Sequence, residues 1–198
     1  MIAHPAKRAA TYSDLLALPE NLVGEIIDGE LVASPRPSRI HAYAAASLDK
    51  EIGPPFHSGR GGPGGWIILM EPEIAFGPHL LVPDLAGWRT ARFPPVEDHN
   101  WISVAPDWVC ELLSPKTVRV DRITKLGIYA QHGVRHFWLI DPLHKTLEVF
   151  GLEAGRWLVL GVFAGNDRVR AEPFQEVEIE LSALWLENRF PGPGAEPT

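Results

Sequence analysis

The sequence predicts an α+β fold: a mixed central β-sheet flanked by helices, with an antiparallel extension at its C-terminal end. Three observations predict it. A strand-like run, Pro106-Asp-Trp-Val-Cys-Glu-Leu-Leu113, precedes a helical segment from about Val118 to Gln131 and a second strand, His136-Phe-Trp-Leu-Ile-Asp141. Asp28-Gly29 stands between two β-prone apolar runs, a strong short-range hairpin signal. Beyond Asp141, short strand-like runs alternate with turn residues, as in an antiparallel meander.

Residues 1–10 read as a loose arm. Thr11 or Ser13 caps a short helix that ends before Pro19. Gly24 to Ser34 is the hairpin. Pro35 and Pro37 break the chain, and Ser38 or a neighbour caps a helix from about Arg39 to Glu51. Ile40, Tyr43, Ala44, Ser47 and Leu48 fall at helical spacing along it. Gly53 to Gly65 is a loop. Its run Gly59-Arg-Gly-Gly-Pro-Gly-Gly65 is not a phosphate loop: no Gly-Lys-Ser/Thr follows, and Trp66-Ile-Ile-Leu-Met reads as a strand. That strand runs from Trp66 to Phe76 with Glu71 and Glu73 near its end, and Gly77-Pro78 turns it into the next, Leu80 to Trp88. Residues 89–105, rich in proline and charge, form a loop. The Pro106 strand is apolar on both sides and is expected to be buried. Gly133 ends the helix behind it. Thr146–Leu152 and Trp157–Phe163 form a meander joined at Glu153-Ala-Gly-Arg156. Glu176 to Leu181 alternates with period two, as an edge strand does, and Ser182 caps a short turn to Glu187. The expected organisation is one domain: a core of about 11–150, a β meander of about 151–188, and a tail over 189–198.

Composition narrows the function. Over 198 residues, 45% hydrophobic content and seven Trp support a well-buried core. The net charge of −7 has the wrong sign for a protein held on nucleic acid by bulk electrostatics. Any such contact must come from a local patch or from metal ions lying over the acids. Cys110 is the only cysteine, which excludes an internal disulfide and a cysteine-based metal cluster; within its strand it reads as a buried, inert thiol. No apolar run approaches the ~20 residues of a membrane span, and the N-terminus lacks a signal-peptide core. A cytoplasmic location is expected.

The chemistry-bearing residues are acids where acids are costly. Glu111 sits within the apolar central strand, and Asp84 lies among apolar neighbours in Leu80-Leu-Val-Pro-Asp-Leu-Ala-Gly-Trp88. A buried carboxylate costs several kcal/mol unless a cation or metal compensates it. Adjacent strands lie ~4.8 Å apart, so acids at matched positions can share one hard divalent ion. The main-chain carbonyl of Leu112 offers a further oxygen. On the following helix Asp121, Lys125 and Tyr129 are spaced i, i+4, i+8 along one face. Ile123, Leu126 and Ala130 occupy another, suited to packing on the sheet. Two carboxylates for a metal and a cation for developing charge are what phosphodiester hydrolysis requires. Plain structural alternatives stand beside this. Glu111 could pair with Lys125 or Arg122 as a buried salt bridge, Asp84 could be a strand-end acid, and Asp121–Lys125 most often means a solvated pair. His41, on the helix after Pro37, could face the site, but a surface histidine is the preferred reading. His132 and His136 do not read as a zinc motif, because Gly133 interrupts the helix between them.

Pro83-Asp84 followed by Glu111-Leu-Leu resembles the PD-(D/E)XK nuclease superfamily, and within it the bacterial Uma family of restriction-endonuclease-like proteins. The resemblance runs from about Tyr12 to Phe150. It rests on Gly24-Glu-Ile-Ile-Asp-Gly-Glu30, Val82-Pro-Asp84, Cys110-Glu-Leu-Leu-Ser-Pro115, Asp121 with Lys125 and Tyr129, and Gly133-Val-Arg-His-Phe-Trp-Leu-Ile-Asp141, in that order. It implies a restriction-endonuclease-like core with Asp84 and Glu111 as metal ligands and Mg²⁺ or Mn²⁺ as cofactor. Leu113 stands where the superfamily lysine belongs, so Lys125 has to reach in from the helix. Glu25 matches an acidic position of the family hairpin and is a further candidate, with Glu30 equally placed. The first functional expectation is therefore a metal-dependent endonuclease acting on DNA. The alternative is a non-catalytic module that keeps the nuclease fold for binding or assembly, and a small-molecule phosphoesterase is a third. The C-terminal strands and the tryptophans offer a surface for a homodimer.

Overall fold

The computed structural model describes residues 8–190. The expected tail from Pro191, and residues 1–7 of the expected arm, lie outside them. Of that arm, Ala10 N donates to the Gly29 carbonyl at 2.8 Å.

Helix α1, Tyr12–Leu16, is capped by Thr11, whose backbone N–H and hydroxyl both bond the Asp14 carboxylate. Strands β1, Leu22–Ile27, and β2, Glu30–Pro35, pair antiparallel with Ile27 opposite Glu30. Two residues make the turn, and Asp28 and Gly29 both take positive φ (51° and 73°), which a two-residue hairpin of this hand requires. Helix α2, Arg39–Ile52, starts where Ser38 Oγ accepts the His41 N–H. It buries His41, Ala44, Ala45, Ser47, Leu48 and Ile52. A wide helical turn, Gly53–His57, extends it where a loop was expected.

Two long strands expected from the sequence are each broken in two. β3, Trp66–Met70, and β4, Ile74–Phe76, are separated at Glu71-Pro72-Glu73. β5, His79–Leu81, and β6, Leu85–Arg89, are separated at Val82-Pro83-Asp84. A proline has no N–H for a ladder bond, so each run breaks there and changes sheet. β7, Trp108–Leu112, is buried throughout, as expected. A π-helical turn, Val120–Lys125, leads into helix α3, Leu126–Gln131, and Gly133 (φ 74°) ends it. β8, His136–Asp141, β9, Thr146–Glu153, and β10, Arg156–Ala164, follow. The edge strand expected over Glu176–Leu181 is reduced to β12, Ile179–Glu180, paired with β11, Arg168–Val169. A tight turn at Leu181–Leu184 and helix α4, Leu186–Arg189, close the described chain.

A six-stranded sheet runs β10-β9-β8-β7-β6-β3, and a four-stranded sheet runs β2-β1-β5-β4. β7 and β8 are parallel across the helical crossover, and every other pairing is antiparallel, so the sheet is mixed as predicted. The two faces of the large sheet build two cores. On one, Trp66, Trp108, Cys110, Leu112, Trp138 and Phe174 pack against Leu48 and Ile52 of α2. On the other, Val109, Leu113, Trp88 and Phe137 pack with Ile128 and Tyr129 of α3 and with Ile27 and Leu81 of the small sheet. Five of the seven tryptophans are buried here, so they do not form the surface that was expected to serve a dimer.

Candidate active site

Glu111 shares the second face with Val109 and Leu113, by the two-residue alternation of a strand. Leu85 pairs with Cys110, so Asp84, one residue before β6, lies at the next antiparallel position, across from Glu111. Asp84 thus belongs to the link between sheets rather than to a strand, one position beyond the paired register. At that link Glu71 N donates to the Asp84 carbonyl at 3.0 Å, which ties the two proline breaks together. A cavity of about 310 Å³ opens along this seam, and Glu25, His41, Asp84, Glu111, Leu112, Asp121 and Lys125 all line it.

Lys125 is the hub. Its Nζ lies 2.9 Å from Glu25 Oε1, 3.2 Å from Glu111 Oε1 and 3.4 Å from Asp121 Oδ1. Tyr129 OH donates to Glu111 Oε1 at 2.6 Å, and Val82 N–H donates to Glu25 Oε1 at 2.8 Å. The three acids around Lys125 are buried: Glu25, Glu111 and Asp121 are 7%, 2% and 3% exposed, and Lys125 is 5%. Asp84 Oδ2 accepts the Leu112 N–H at 2.7 Å, and its Oδ1 lies 2.5 Å from His41 Nε2. A carboxylate only accepts, so the imidazole N–H is the donor.

The electrostatics follow from one ammonium among several acids. Burial would lower the Lys125 pKa, but Glu111, Glu25 and Asp121 overcome it and hold the group charged well above its ordinary range. Burial pushes Glu111 well up; Lys125 opposes it, while Asp121, Asp84 and Glu25 add to it. Asp121 is raised by burial against the opposing pull of Lys125 and Thr117. Burial also lifts the Tyr129 phenol, and Glu111 adds to that. For His41 burial works downward, yet the hydrogen bond and charge of Asp84 leave its pKa raised. The cluster carries more negative charge than its cations neutralise, and Glu111, the deepest acid, bears the cost.

Several expectations need revision. Asp121 is not a solvated partner of Lys125 but a buried member of the cluster. Ile123, assigned to the packing face of the helix, is 66% exposed; the face that packs carries Asp121, Lys125, Ile128 and Tyr129. Arg122 pairs with Glu148, not with Glu111. Of the two hairpin acids, Glu25 lines the cavity, whereas Glu30 is exposed beside the turn. His41 is not a surface residue. It is in phase with Ala44, Ala45, Leu48 and Ile52 on the buried stripe of α2, and that i, i+3, i+4 pattern was the signal for it. Cys110 is buried as expected, and its thiol is pushed well up by burial.

A family model described as "Putative restriction endonuclease" (Uma2) matches residues 10–183. A crystal structure described as that of a putative nuclease belonging to DUF820, from Anabaena variabilis, superposes with a TM-score of 0.67 at 25% identity, covering 89% of this chain and 97% of that one. No curated protein matches. The family match spans nearly all of the described residues and agrees with the motif order from Gly24 to Asp141: the chain belongs to the Uma2 family of restriction-endonuclease-like proteins.

Proposed function

We propose that this protein is a metal-dependent endonuclease that hydrolyses DNA phosphodiester bonds. The observation that carries the reading is the convergence of Asp84, Glu111 and Lys125 on one cavity, from three separate segments, in a chain of this family. Among the described residues no three His, Cys, Asp or Glu side chains converge as a ready-made metal cage. Magnesium does not require one, since it binds through one or two carboxylates and keeps several waters. The donor set fits it: the Asp84 and Glu111 carboxylates on one cavity, Leu112 in its wall, and more acids than cations around them. A bound Mg²⁺ or Mn²⁺ would polarise the phosphate and lower the pKa of an attacking water.

In this reading Asp84 and Glu111 are the ligands, with the Leu112 carbonyl beside them. Lys125 keeps its proton, and the N–H now shared with Glu111 would serve charge that develops on the phosphoryl oxygens, or the attacking water, if Glu111 bound a metal. Glu25 and Asp121 keep Lys125 charged and aimed. Tyr129 fixes one oxygen of Glu111. Lys116, exposed on the cavity wall, and Arg36, 3.7 Å from Glu71 Oε2, are the cations besides Lys125 that a polyanion would meet there. Purified protein is expected to nick plasmid DNA with Mg²⁺ or Mn²⁺, and Glu111→Ala to abolish nicking. Wild type that binds neither metal nor DNA rules the reading out.

One observation favours a second reading, a non-catalytic nuclease-fold module. Glu111 is already satisfied by Lys125 and Tyr129, as in a structural ion-pair network. A divalent-ion-induced rise in melting temperature that Asp84→Asn removes argues against it. A homodimer belongs to the same proposal. Leu158, Val159, Leu160 and Val162 are exposed on edge strand β10 and support it. Its test is a dimer in sedimentation that Val159→Asp with Val162→Asp splits. No helix among the described residues is long and apolar enough to cross a membrane; a cytoplasmic location stays part of the proposal.

A further inference from the structure

We infer that His41 is a positioning residue for Asp84: it sets the rotation of the carboxylate that receives the divalent ion, and through it the affinity for that ion. The inference rests on the nuclease reading above. Asp84 lies between β5 and β6, outside the regular ladder, so strand pairing does not fix its side chain. The terminal torsion of an aspartate is broad and roughly two-fold, and one anchor leaves it free to swing. Here there are two anchors from two elements. Leu112 N–H from β7 holds Oδ2 at 2.7 Å, and His41 Nε2 from α2 holds Oδ1 at 2.5 Å.

His41 is itself well held. Ser38 Oγ accepts its backbone N–H at the first turn of α2, and the side chain is 11% exposed on the stripe that packs the helix against the core. Nor does His41 compete for the ion's place. Each carboxylate oxygen has two acceptor sites, so one hydrogen bond to each leaves one on each for a metal. A donor that orients a metal-binding carboxylate in this way typically changes metal affinity 10–100-fold when removed.

The test is calorimetric titration of the full chain with Mn²⁺ at one fixed pH, on wild type, His41→Ala, His41→Gln and Asp84→Asn. Expected are a measurable affinity in wild type, a loss of about 10–100-fold in His41→Ala, recovery of most of it in His41→Gln, whose amide still donates, and no binding in Asp84→Asn. If His41→Ala does not fold, His41→Leu, which keeps bulk and lacks the donor, carries the same expectation. Wild-type affinity in the donor-less variant, or tighter binding, overturns the role of His41 alone. Wild type that takes up no Mn²⁺ overturns the metal reading and this inference with it.

Discussion

Lys125 holds three buried carboxylates together, and removing it leaves all three without their cation. Breaking a buried pair by deleting one partner typically costs 3–5 kcal/mol. Lys125→Met is therefore expected to lower the melting temperature by about 10 °C, at roughly 2–4 °C per kcal/mol for a chain of this size. Glu111→Gln has the opposite sign. Its folded pKa is raised, so whatever stability it contributes is present in full below the unfolded carboxyl pKa, near ~4.3, and is lost as pH rises through the folded value. Without metal, Glu111→Gln is expected to melt no lower than wild type at pH 8, and the difference is expected to shrink towards pH 4. A variant clearly less stable than wild type at pH 8 contradicts that sign. Tyr129→Phe deletes the phenol that bonds Glu111 Oε1 and is expected to cost about 1–3 kcal/mol in denaturant unfolding. At this scale the sequence was informative where chemistry conflicts with hydropathy. Glu111 and Asp84 stood out because acids are rare in apolar runs. Asp121 did not, because an i, i+4 pair has the same spacing whether solvated or buried. Burial was decided by the sheet that the helix face lands on.

Elements were legible wherever a local cap or turn sets them. Thr11, Asp28-Gly29, Ser38 and Gly133 mark their boundaries through chemistry confined to a few residues. Gly133 tests this simply: a Cβ there meets open space, so Gly133→Ala is strained only by its positive φ. It is expected to cost about 1 kcal/mol, a few degrees in melting temperature. What could not be read locally was the sheet to which a strand belongs. Trp66 to Phe76 and Leu80 to Trp88 each look like one strand, since Pro72 and Pro83 say that the ladder stops but not where the chain then goes. The π-helical turn over Val120–Lys125 was equally hidden. Along it Asp121 and Lys125 are buried and Ile123 is exposed.

For the whole molecule, the two proline breaks lie side by side at the junction of two sheets, and the cavity follows that junction. The mixed sheet and the order of motifs were readable in advance. The junction was not, because it arises from long-range pairing such as Ile26 with Leu80. DNA binding by an acidic chain through a few cations is expected to weaken only gently with salt, because the slope scales with the number of phosphates neutralised. Lys116→Glu is expected to weaken it at every sequence tested and to lower the salt slope by about 1. An unchanged slope places the contact elsewhere. The most direct test of the central claim is a crystal soaked in Mn²⁺ and measured at a wavelength where manganese scatters anomalously. The expected result is a peak about 2.1 Å from carboxylate oxygens of both Asp84 and Glu111. No peak in the cavity, or one touching neither acid while Lys125 stays locked on Glu111, contradicts the claim.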